Sequence, residues 1–118
     1  MTETEAAAFA GEWIEAWNLH DLDRILSHYD AAVEFHSPFV ARIAGEPSGI
    51  LRGIDRLRPY FAEALKRYPD LRFTDVRALA GVSSLTLTYR SVSALHAAEV
   101  LRLNEAGKIV RVDAHYAR

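Results

Sequence analysis

The sequence predicts a single α+β domain over residues 1–118, with helices first and a mostly antiparallel sheet after them. Three observations carry this. Apolar residues recur at three- and four-residue steps through the N-terminal segment, the period of a helix with one buried face. From Leu71 onward apolar and polar residues alternate, the period of strands. The chain has 118 residues, 50% of them hydrophobic and none cysteine, which is enough to bury a core without disulfides.

Between Ala6 and Leu19, the positions Phe9, Trp13, Ala16, Trp17 and His20 mark the first helical face. Asp21 suits a helix N-cap, because its carboxylate can accept from free backbone amides, and Leu22, Ile25, Leu26 and Tyr29 form a short second stripe. Ala31 to Pro38 changes to strand period, and Pro38 closes the strand. Phe39 to Gly53 holds Gly45, Pro47, Gly49 and Gly53 and is expected to be a long surface connection with a short strand at Ile50–Arg52. Leu57, Phe61, Leu65 and Tyr68 restore helical spacing from Ile54 until Pro69 ends it, with Pro59 awkward inside the run. Strands follow at Leu71–Leu79, around Leu85–Arg90, at Leu95–Leu103 and at Ile109–Tyr116. Gly81–Ser84 and Asn104–Lys108 supply hairpin turns. Three helices packed on one face of the sheet are therefore expected.

A net charge of -2 gives no electrostatic drive toward nucleic acid, and the arginines are interspersed with acids. No run is long and apolar enough to span a membrane, and the acidic N-terminal segment lacks the pattern of a signal peptide. These features predict a cytoplasmic protein with neither nucleic-acid nor membrane partners. No phosphate-binding glycine motif is present, since Gly45, Gly49 and Gly53 lack the strand-turn-helix order and the lysine.

Glu99 is the residue that stands out. It shares its alternation face with Leu95, Ala97, Leu101 and Leu103, whereas His96, Ala98, Val100 and Arg102 face the other way. Two readings are open: a pocket carboxyl whose desolvation raises its pKa and fits it for acid/base work, or a rim carboxylate paired with an arginine. Asp113 and His115 share the less apolar face of the last strand and are expected to point outward, as is His36 unless a bulge turns it in. With Glu34 they could imitate a metal site, but no closed ligand set is identifiable, so neither metal nor cofactor is expected. His20 and His28 fall at helix ends. Trp13 and Tyr89 are candidate ligand contacts among aromatic residues whose spacing also suits plain core.

The order of elements resembles the nuclear transport factor 2-like superfamily, in particular its SnoaL-like polyketide-cyclase and ketosteroid-isomerase-like branches. The resemblance rests on WNLHDLDRILSHY, AAVEFHSP, GIDRLRPYF and EVLRLNEAGKIVRV, and covers nearly the whole chain. It implies a cone-shaped domain whose helices and curved sheet enclose a pocket for a small apolar molecule, with the outer sheet face available for a homodimer. Val100, Val110 and Val112 are the apolar residues expected on that face. The resemblance places Glu99 where the isomerases have their oxyanion-binding acid. The tyrosine of the isomerase first helix falls on Trp13, and the aspartate base of the first strand falls on Phe35 or Ser37, neither a carboxylate. Ordinary steroid isomerisation therefore lacks its base here. The expected function is a cofactor-independent isomerase- or cyclase-type reaction on a small hydrophobic carbonyl compound, with Glu99 as acid/base. The alternative is a non-catalytic ligand-binding or dimerisation module of the same fold. Trp13, Phe35, Ser37 and Tyr89 are the expected ligand contacts.

Overall fold

Thr2 opens the first helix in the computed structural model, which covers residues 1–118. Its hydroxyl accepts from the Glu5 backbone N–H while the Glu5 carboxylate accepts from the Thr2 N–H, so two amides that the helix leaves free are satisfied. Helix α1 (Glu3–Asn18) buries Ala6, Ala10, Trp13, Ala16 and Trp17, one face at helical spacing. Asp21 caps α2 (Leu22–Leu26) by accepting from the Arg24 N–H at 3.2 Å. Strand β1 (Tyr29–His36) follows directly.

The glycine-marked connection contains more structure than its composition suggests. Ser37 accepts from the Phe39 N–H and Pro38 occupies the first turn of α3 (Pro38–Ala44), a position where the missing N–H of proline costs nothing. Gly45, at φ 70°, ends the helix in the left-handed region. The chain then returns to β1 through Gly49, whose carbonyl accepts from the Ser37 N–H at 2.9 Å, and forms β2 (Ile50–Arg52). There are thus four α-helices, one more than the sequence predicts. The last, α4 (Ile54–Arg67), runs through Pro59 and buries Leu57, Tyr60 and Phe61.

Strands β3 (Thr74–Ala80), β4 (Ser84–Arg90), β5 (His96–Leu103) and β6 (Ile109–Ala117) complete a six-stranded sheet ordered β2-β1-β6-β5-β4-β3. Every neighbouring pair is antiparallel except β1 and β6, which are parallel. In the β5–β6 turn, the Asn104 side chain accepts from the N–H groups of Ala106 and Lys108, and Gly107 takes φ 75°. Val110 is the extra residue of a bulge, because Leu103 pairs with Ile109 and Arg102 with Arg111. The bulge sets the register that buries Ile109, Val112 and Ala114 together. Val112 therefore faces the core, not the outer surface, and the outer face keeps Val100 and the half-buried Val110.

The outer face of β2, β1 and β6 is ionic. Glu34 accepts from Arg52 at 2.8 Å and Arg111 at 3.1 Å, with His36 Nε2 at 3.4 Å, and Arg111 also donates to Asp113 at 2.9 Å. The His36 contact, followed by the two arginines, holds the Glu34 carboxyl below its usual range, and Arg111 does the same for Asp113. His36 and Asp113 are register partners on this face and His115 is exposed further along β6. Their acids are engaged by arginines. No helix is long and apolar enough to cross a membrane.

Candidate functional site

The inner face of the sheet, α1, α3 and α4 surround a cavity of about 60 Å³. Trp17 comes from α1, Phe35 from β1, Phe39 and Ile43 from α3, and Phe61 from α4. All five tyrosines of the chain, Tyr29, Tyr60, Tyr68, Tyr89 and Tyr116, also line it. The walls are thus apolar in area but carry phenol hydroxyls. Glu99 is their one acidic residue.

Strand alternation puts Glu99 there. On β5 the buried positions are Ala97, Glu99 and Leu101, and Glu99 is only 4% exposed. Register pairs Glu99 with Leu87 and Ala97 with Tyr89, so Tyr89 and Glu99 lie diagonally across one face, within reach of a long side chain. The Tyr89 hydroxyl donates to Glu99 Oε2. Burial pushes the Glu99 carboxyl up to about 7, and the Tyr89 hydrogen bond opposes that rise. Near neutral pH the group can therefore exchange a proton, acting as a donor when neutral and an acceptor when ionised.

The tyrosines respond to the same desolvation. Burial raises the Tyr29 and Tyr89 phenols well above their ordinary value, and the Glu99 charge raises them further. Tyr60 and Tyr116 are raised by the same two causes. These phenols remain neutral hydrogen-bonding groups at any pH the fold meets. Tyr29 accepts from the Trp13 indole N–H at 3.2 Å, which leaves its own hydroxyl hydrogen available. The Trp17 indole nitrogen is buried without an aligned partner.

The expected contacts separate. Phe35 and Tyr89 line the cavity. Trp13, 1% exposed, lies behind the wall, stacked on Phe73 and tilted against Tyr89 and Trp17; the residue one turn later, Trp17, reaches the cavity instead. Ser37 is buried and does not line the cavity; its hydroxyl caps α3 and lies beside the Tyr60 and Tyr116 phenols that do. His36, Asp113 and His115 are on the opposite face of the sheet. The wall contributed by Phe39, Ile43, Tyr60, Tyr68 and Tyr116 is not singled out by sequence reasoning: Phe39 and Ile43 fall in a segment whose glycines read as a surface connection, and the tyrosines have the spacing of ordinary core.

Helices closing one face of a mixed sheet over an aromatic cavity with a single buried acid define an α+β cone. The chain belongs to the SnoaL-like domain family, whose description matches residues 10–112. It is similar to a crystal structure of a SnoaL-like protein of unknown function from Burkholderia thailandensis, with 46% identity, TM-score 0.94, and coverage of 99% of this chain and 98% of that one. A candidate isomerase of the SnoaL-like family from Agrobacterium tumefaciens shares the fold at 17% identity and TM-score 0.76, covering 98% and 99% of the two chains. So does a candidate ketosteroid isomerase from Kribbella flavida, at 17% identity and TM-score 0.72, covering 98% and 80%. Comparison with curated proteins gives no match.

Proposed function

We propose that the chain binds a small apolar carbonyl compound in this cavity and that Glu99 acts on it as a cofactor-independent acid/base. The observation that carries the reading is a carboxyl buried in an otherwise uncharged aromatic cavity, where desolvation pushes it up to about 7. Neutral Glu99 can donate a hydrogen bond to a carbonyl oxygen, which serves binding, because no other carboxylate lines the cavity to take the proton beside it. Ionised Glu99 can take that proton and return it, while a neutral phenol of the wall donates to the enolate oxygen that forms. A cavity of about 60 Å³ admits a short head group but not a steroid ring system in this conformation.

One observation favours the second reading, a binding module without turnover. Phe35 and Ser37 occupy the part of β1 and its exit where the related isomerases carry a base, and Glu99 is the only acid in the cavity wall. A single experiment separates the two. Butan-2-one is incubated with the protein in deuterated water and followed by NMR. Deuteration beside the carbonyl by the natural protein but not by Glu99→Gln supports the enzyme. Binding seen at the Trp17 indole signal without deuteration supports the module. Absence of any binding removes both.

A further inference from the structure

Next to the cavity lies a second space, a vestibule of about 410 Å³, that shares Phe39, Tyr68 and Val92 with the inner wall. The two spaces are therefore adjacent, with those side chains as their common wall. The inner space, about 60 Å³, is far below the several hundred Å³ usual for a site that holds a whole small ligand. A molecule whose carbonyl reaches Glu99 has atoms left over beyond that space, and the vestibule is an adjoining cleft that carries arginine without aspartate or glutamate.

The vestibule differs from the inner cavity in charge. Arg42 of α3 lines it, and no aspartate or glutamate does. The Arg42 guanidinium lies 5.2 Å from the centre of the Phe39 ring, which belongs to the wall the two spaces share. Unlike Arg24, Arg52, Arg58, Arg67 and Arg111, which all hold carboxylates, Arg42 takes part in no ion pair. A planar cation resting on the ring that divides the two spaces, with its hydrogen-bond donors uncommitted, is suited to a carboxylate.

We propose that the ligand is a small oxo acid, with its carbonyl end in the inner cavity and its carboxylate on Arg42. This rests on the Glu99 reading for the inner half and adds the anionic end. Arg42 then sets specificity and takes no part in proton transfer. The inner cavity excludes the charged end, because ionised carboxylates are costly to desolvate, and Arg42 attracts it, so both features enforce one orientation.

The test compares 6-oxoheptanoate with its methyl ester, which keeps the carbonyl and chain but removes the charge. Affinities are measured by NMR titration below pH 7, where Glu99 is mostly protonated. The Trp17 indole signal reports occupancy of the inner cavity. The natural protein should prefer the acid by about threefold to tenfold, the range for a partly exposed charged hydrogen bond. Arg42→Gln, an exposed change, should bring the ratio close to one without weakening the ester. Equal binding of acid and ester, a preference that survives Arg42→Gln, or acid binding that leaves Trp17 unperturbed would overturn the oxo-acid proposal while the cavity reading stands. If neither compound binds, the Glu99 reading fails and takes this proposal with it.

Discussion

The Tyr89 hydroxyl and the Glu99 carboxyl meet diagonally across the β4–β5 ladder, the only hydrogen bond that ties the buried acid to another side chain. It favours the ionised form while burial favours the neutral one, and burial is the larger effect.

Stability should therefore fall with pH in a defined window. The folded-state value of Glu99, about 7, lies above its ordinary value of 4.5. Its contribution is fully present below 4.5, declines as pH rises, and is lost once pH has passed through about 7. The total is on the order of 3 kcal/mol from a shift of this size. Denaturant unfolding at a series of pH values should show that decline in the natural protein. Glu99→Gln should flatten it and be the more stable of the two above neutrality. Parallel profiles would mean that Glu99 is solvated.

Tyr89→Phe removes a hydrogen bond that lowers the Glu99 pKa, so Glu99 should titrate still higher in the variant. NMR of the side-chain carboxyl follows this directly. The fold should persist at a cost of about 1 kcal/mol, since the ring stays packed against Phe73 and Trp13. A downward shift would contradict the assigned hydrogen bond.

Ala64→Leu should close the site without harming the fold. Ala64 projects from α4 into the cavity wall, leucine is a good helix former, and the added carbons occupy space that is now void. Unchanged or raised melting temperature, with loss of ketone binding at the Trp17 indole, is the expected pair of results. Retained binding would place the ligand elsewhere.

A homodimer through the outer sheet face is expected. Thr86, Thr88, Ala98 and Val100 form an uncharged strip on β4 and β5 beside the ionic region, and Val100 is 37% exposed. Light scattering after size exclusion should give twice the mass of 13.2 kDa, and Val100→Asp should shift the protein toward monomer. A monomer at every micromolar concentration would reject the pairing.

The sequence carried much of this site, and the reasons differ by residue. The face of Glu99 was legible because a strand has period two and Ala97, Leu101 and Leu103 share that face, whereas alternation does not distinguish a pocket from its rim. Tyr89 followed from the same alternation on β4. Trp13 and Trp17, four residues apart, share a helical face, so spacing could not say which reaches the cavity and which lies behind it. Helix α3 was obscured because Pro38 was read as the end of a strand; Ser37 followed by Pro38 is equally a helix start, and seven residues are too few for periodicity to speak. The parallel pairing of β1 with β6 joins remote segments, and alternation within a strand does not name its neighbour. Val110 and Val112 would share a face without the bulge at Val110, whereas alternation from the outward Asp113 turns Val112 inward.

The two halves of the site also differ in when they can form. Tyr89 and Glu99 are 10 residues apart on one hairpin, whereas the β1–β6 seam brings together residues such as Glu34 and Arg111, 77 positions apart. Local pairings are entropically cheap to close and distant ones are slow. The tyrosine can therefore find its acid while the container is still open to water. Only closure of the seam and docking of the helices dry the carboxyl, so its elevated titration is a property of the finished fold rather than of the hairpin that carries it.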